Sequence, residues 1–178
     1  MIGNVYAIRP QPPVQEDTRW FDAGNLRLGI EYREIDHDSL VRTYEQDEAQ
    51  LAELNANWPE TDVQDEGLSL HVVGAADGHE YLRFDVFDTS PHYHYNHPGE
   101  PIVNNVIDFD RSAHGDMLAW ALERLRTRLG EMLTEAGGDD LVAGLDPAAV
   151  SGALDQVQAL ADAQRRARRR AAPTSTGG

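Results

Sequence analysis

At 178 residues the chain is long enough for one domain with a real core, and its 31 acidic against 15 basic residues give a formal net charge of −16. The absence of cysteine excludes disulfides, thiolate metal sites and cysteine nucleophiles. Every basic residue is arginine, and Arg165, Arg166, Arg168, Arg169 and Arg170 form a terminal run; the 10 remaining basic residues against 31 acidic ones leave residues 1–164 at −21, a charge that speaks against nucleic-acid or anionic-membrane partners.

No apolar run approaches the roughly 18 residues that a membrane helix needs. Met1-Ile2-Gly3-Asn4 shows no basic segment followed by an apolar one. The expectation is a cytoplasmic protein, and the lysine-free composition rich in Arg, Ala, Gly and Asp suggests a GC-rich bacterial genome.

Residues 1–17, with Pro10, Pro12 and Pro13, read as an irregular arm. Leu26, Leu28, Ile30 and Tyr32 alternate with Arg27, Gly29, Glu31 and Arg33, which predicts a half-buried strand. Asp36 or Asp38 caps a helix over about 39–55, with Leu40, Tyr44, Leu51 and Leu54 on one stripe; an acidic connection through Trp58-Pro59 follows.

The next two strands form a hairpin. A two-residue Asp77-Gly78 turn would mix its faces, whereas a three-residue Ala76-Asp77-Gly78 loop opposes Val72 to Leu82, Leu70 to Phe84 and Leu68 to Val86. That register makes one face apolar and leaves Ser69, His71, Tyr81, Arg83, Asp85 and Phe87 on the other. After a histidine-rich connection at 88–100, a strand is expected at 101–109 with Val103, Ile107 and Phe109 on one side. Leu118, Leu122, Leu125, Leu129 and Met132 predict a helix over 116–136, started by Asp116 and stopped by Gly137-Gly138. Asp146-Pro147 opens a last helix from 147 to about 168.

The fold class is therefore α+β: a small antiparallel sheet of about four strands, with helices on its apolar face and the polar face uncovered. The division is an arm at 1–17, a core domain at 18–137, a C-terminal helix with an arginine-rich end at 138–170, and a disordered tail at 171–178.

One segment carries chemistry: Pro91-His92-Tyr93-His94-Tyr95-Asn96-His97-Pro98-Gly99-Glu100. In an extended chain His92 and His94 project to one side and Tyr93 and Tyr95 to the other. A turn at Asn96 to Gly99 would bring His97 back toward the pair, with Asp85, Asp88 or Glu100 adding oxygen. Imidazoles with a carboxylate suit a divalent metal such as zinc, iron, manganese or nickel. His71, Arg83, Tyr93 and Tyr95 are the ligand-binding candidates around it; Arg83 is a carboxylate clamp, or else a salt-bridge partner of Asp85 and His71. The chemistry would be metal-assisted hydrolysis or a lyase-type proton transfer, or, without metal, acid–base work by His92 or His94.

The His-X-His pair followed by glutamate is similar to the cupin pattern in those residues alone. Glu100 comes too late, no second histidine motif follows, and helices replace the strands a cupin needs. Tyr81-Leu82-Arg83-Phe84-Asp85, Pro91-His92-Tyr93-His94-Tyr95 and Trp120-Ala121-Leu122-Glu123-Arg124-Leu125-Arg126 resemble an uncharacterised bacterial domain family, as do Ala23 to Arg27 and Glu31-Tyr32-Arg33. The resemblance implies a shared fold and an important Pro-His-Tyr-His-Tyr segment. It leaves His97 outside the motif, favouring two histidines over three, and brings no activity with it. Two other readings stand beside the site: a non-catalytic interaction subunit, homodimeric through the leucine stripe or the aromatic turn, and an acidic inhibitor with carboxylates ranked on one face.

Overall fold

The computed structural model describes residues 3–57 and 64–171; Trp58-Pro59 and residues 172–178 of the expected tail lie outside the described residues. Seven strands, β1 (Asn4–Tyr6), β2 (Arg19–Ala23), β3 (Leu26–Ile35), β4 (Asp65–Gly74), β5 (Glu80–Phe87), β6 (His92–His97) and β7 (Val103–Asp108), form one sheet. Its order is β1-β7-β6-β5-β4-β3-β2 and every pairing is antiparallel. From β2 to β7 this is a meander of sequential neighbours, and β1 closes the far edge against β7. The expectation of about four strands is corrected: β1 and β2 are short edge strands, and β6 is the histidine segment itself.

The hairpin register is the one the apolar pattern requires, with Val72 opposite Leu82, Leu70 opposite Phe84 and Leu68 opposite Val86. A register shift between Val72 and Val73 accommodates the turn, in which Gly78 takes φ +69.

The apolar face carries Leu26, Leu28 and Ile30 from β3, Leu68, Leu70 and Val72 from β4, and Leu82 and Phe84 from β5. Three helices cover it: α4 (Met117–Thr127), α5 (Leu129–Glu135) and α7 (Pro147–Ala171). Asp36 caps α1 (His37–Tyr44), and α2 (Glu48–Asn57), α3 (Arg111–His114) and α6 (Asp139–Val142) complete the set. The single helix expected over 116–136 breaks at Arg128 (φ −136, ψ 15), yet Leu125, Leu129, Met132 and Leu133 stay buried on both sides of the break. Each large apolar side chain fully withdrawn from water contributes roughly 1.5–3 kcal/mol. The leucine stripe is thus spent on the protein's own core and is not available to a partner. No helix among the described residues is long and apolar enough to cross a membrane.

The polar face is covered too, which corrects the sequence expectation. The N-terminal arm crosses it and α1 with α2 pack over the arm. Two of the sheet's arginines hold the arm at Gln11, Arg83 Nη2 donating to its carbonyl at 2.6 Å and Arg33 Nη2 to its Oε1 at 2.7 Å. The Tyr44 hydroxyl donates to the Arg9 carbonyl at 2.5 Å, and Gln50 Nε2 to the Ala7 carbonyl at 2.9 Å. Polar side chains alone do not mark a face as solvent-exposed when the chain supplies matching backbone groups.

Candidate functional site

The cross-strand register brings Ser69, Asp85 and His92 into one row and His71, Arg83 and His94 into the next. Because side chains alternate along β6, His92 and His94 lie on this face together, their ring centroids 4.9 Å apart. Both present Nε2 to the same oxygen of Asp85: His92 at 3.3 Å and His94 at 3.1 Å from Oδ2. The ligand atoms of Asp85, His92 and His94 lie within 4.8 Å of one another, so this buried group is able to hold a metal ion.

The far side of each ring is fixed. His92 Nδ1 lies 2.7 Å from the Ser90 carbonyl and His94 Nδ1 2.8 Å from Asn104 Oδ1. A carbonyl only accepts, so His92 carries its proton on Nδ1 and, when neutral, turns a lone pair toward Asp85. The other Asp85 oxygen accepts from the Ser69 hydroxyl.

Burial works against the charge on Asp85, but its contacts with His92 and His94 and the nearby Arg83 charge outweigh it and hold its pKa well below the usual carboxylate range. Burial also opposes a charge on His92, where the Asp85 bond prevails and raises the pKa. At His94 burial prevails and the pKa falls. The two imidazoles are therefore unequal, His94 being the one held neutral.

Above this group lies a cavity of about 280 Å³. Arg83, Asp85, His92, His94 and Asn104 supply its polar floor, and Ile8, Pro10, Leu40, Tyr44 and Leu54 from the arm, α1 and α2 its apolar roof. A mostly apolar cavity with a few convergent polar groups is the usual form of a small-molecule site.

Beside it runs a second buried cluster. His71 stands between two carboxylates, 2.5 Å from Glu80 Oε1 and 3.2 Å from Glu31 Oε1. Burial disfavours its charge, but those two contacts raise its pKa. Glu80 also takes Arg83 in a two-point contact, Nε to Oε1 at 3.1 Å and Nη2 to Oε2 at 2.6 Å. Glu80 thus stands between His71 and Arg83, which the sequence reading had joined directly. Trp20 covers His71 with centroids 6.1 Å apart.

Of the remaining candidates, His97 projects to the helical face beside Gly137, and the strand continues straight through it where a turn was expected. Asp88 is exposed beyond the end of β5, its carbonyl accepting from Arg111. Neither joins the Asp85 group, and Glu100 pairs with Arg9. Tyr93 and Tyr95 occupy the helical face, and His114 packs on Phe109 and Trp120. The arginine run folds back on the domain: Arg165 meets Asp116 at 3.1 Å, and Arg168 meets Glu66 at 2.7 Å while lying over Tyr32.

Sequence reasoning missed Ser69, Asn104 and Glu80 as parts of the site. Asn104-Asn105 in mid-strand was the available signal, since an amide buried in a sheet needs a polar partner.

No curated protein and no solved structure matches this chain. Residues 20–161, spanning β2 to the middle of α7 and including the whole Asp85–His92–His94 group, match one family model, and the chain belongs to that family, described as a domain of unknown function (DUF7700).

Proposed function

We propose that the Asp85–His92–His94 group holds one divalent metal at the floor of the arm-covered cavity, and that a small organic molecule is bound and transformed there. The observation that carries this is the orientation of the rings. Each imidazole has an oxygen acceptor at Nδ1 and turns Nε2 toward the same carboxylate. Two neutral nitrogen lone pairs facing a carboxylate repel one another unless a cation or protons lie between them. Acceptors behind metal-binding histidines are the usual way that their tautomer and direction are set.

Two nitrogens and one oxygen, with no sulfur, suit zinc, iron(II), manganese or nickel and leave coordination positions open to a ligand. A metal there would polarise a substrate oxygen or activate water, supporting hydrolysis or proton transfer. Arg83 borders the same cavity and favours a ligand with an acidic group, while the roof favours an apolar body. The reading includes a bacterial, cytoplasmic setting.

The test is elemental analysis of the purified chain beside a His92→Ala, His94→Ala variant, with circular dichroism to verify folding. About one equivalent of metal in the first and none in the second is expected. Equal content in both removes the proposal.

One observation favours a second reading without metal. Asp85 Oδ2 lies 3.3 Å from His92 Nε2 and 3.1 Å from His94 Nε2, so a proton on either ring has an acceptor within reach at the cavity floor. Metal-free purified protein, still metal-free after incubation with zinc or iron(II), is the result that would select it.

A further inference from the structure

The reverse side of β6 borders a different cavity. Tyr93 and Tyr95 from β6, Asn105 and Ile107 from β7, and Trp120 with Met132 from the helices surround about 760 Å³ of open space. We propose that this is a second binding site, for a neutral, hydroxyl-bearing ring such as a sugar unit.

Asn105 provides the first argument. It is 1 % exposed, and its Oδ1 has no hydrogen-bond partner among the described residues. A buried acceptor left unpaired costs about 1–3 kcal/mol, which a ligand O–H or N–H would recover. The backbone register places it directly opposite Tyr95.

The second argument is a rigid aromatic surface. Trp120 is wedged against Phe109 at 5.1 Å, Tyr93 at 5.2 Å and Phe84 at 6.2 Å between ring centroids, and Tyr95 meets Tyr93 edge-on at 5.8 Å. Fixed aromatic side chains with polar tips give large contact area at little entropic cost. The C–H face of a sugar ring matches such a surface while its hydroxyls reach outward.

The third is charge. Arg124, Arg128, Glu131 and Glu135 border the cavity, two of each sign, and Arg128 pairs with Glu131 at 3.6 Å. In a protein of net charge −16 this rim is balanced. It favours neither an anion nor a cation, which leaves a neutral polar ring as the best-matched occupant.

The site lies across the sheet from Asp85, His92 and His94, so the inference does not rest on a metal. Amide NMR of the full chain tests it, following the Asn105 side-chain and Trp120 indole signals during titration with glucose, N-acetylglucosamine and maltose. Tetramethylammonium and adenosine serve as cationic and flat aromatic comparators. Saturable shifts at both residues are expected with at least one sugar, at Kd below about 10 mM. Asn105→Ala and Tyr95→Ala should each weaken binding by about tenfold, while Tyr95→Phe, which keeps the ring, should weaken it less. Thermal unfolding verifies that the variants fold. No saturable sugar response, or tighter binding of tetramethylammonium or adenosine at these residues, overturns the proposal.

Discussion

Replacing Glu80 by glutamine tests the electrostatic reading of the polar face. Burial alone would raise the Glu80 pKa, but the Arg83 charge and the His71 contacts overcome it and bring it down to about 2 from an ordinary 4.5. At about 1.4 kcal/mol per pKa unit, this corresponds to about 3 kcal/mol of stability at neutral pH. Because the folded-state pKa lies below the unfolded one, that contribution is complete above about pH 4.5 and drains away as pH falls toward 2. Urea unfolding of wild type and Glu80→Gln at several pH values reads it directly. At pH 7 the variant should be about 3 kcal/mol less stable, a midpoint shift of about 1–2 M urea. By pH 3 the gap should shrink to about half, since wild-type folding must then release a proton from Glu80. His71 carries the opposite sign: its raised pKa adds stability that is complete below about pH 6.5 and is lost as pH climbs through the folded value. The variant, lacking one of the two carboxylates at His71, should show a weaker loss at alkaline pH. A gap independent of pH would refute the ion-pair account and reduce Glu80 to a packing element.

Gly29→Ala should destabilise by about 1–3 kcal/mol, because the new Cβ would stand 2.7 Å from Trp20 Cζ3; thermal unfolding with near-ultraviolet dichroism of tryptophan checks it. Asn104→Ala, which removes the acceptor behind His94, should lower metal affinity by about 10–100-fold in chelator competition while leaving stoichiometry at saturating metal unchanged. Leu133→Ala, at a fully buried core position, should cost about 2–5 kcal/mol by denaturant unfolding. Arg168→Ala, at an exposed pair with Glu66, should cost less than about 1 kcal/mol and lose that effect in high salt.

Elements with one polar and one apolar side, or a clean apolar stripe, are legible in the sequence. The Leu68–Leu70–Val72 and Leu82–Phe84–Val86 rows set the hairpin register because a one-residue slip would mix apolar with polar side chains on each face. The β6 segment reads as a connection in the sequence because neither of its faces is aliphatic, so period-two hydrophobicity is absent. The alternation was present all the same, as histidine against tyrosine. It placed His92 and His94 together and apart from Tyr93 and Tyr95, and the same parity sets His97 with the tyrosines. Strands β1 and β2 are short, and their pairing depends on partners distant in the chain for β1 and on a two-residue turn at Gly24-Asn25 for β2. The covering of the polar face was least legible, since it rests on backbone carbonyls at Ala7, Arg9 and Gln11 that no side-chain pattern reveals.

The two cavities share one strand. On β6 the even positions 92 and 94 look toward the arm and the odd positions 93 and 95 toward α4, so a single six-residue segment places imidazoles on one side of the sheet and phenols on the other. Pairing with β5 on one flank and β7 on the other fixes that assignment, and the neighbours match it: Asp85 and Asn104 on the imidazole side, Phe84 and Asn105 on the phenol side. A shift of β6 by one residue would bury two tyrosines against Asp85 and Arg83 and set two histidines on Phe84 and Trp120. Both mismatches would leave polar groups unpaired in the interior, at about 1–3 kcal/mol each. The register that keeps the Asp85 group intact is therefore the same one that builds the aromatic cavity behind it.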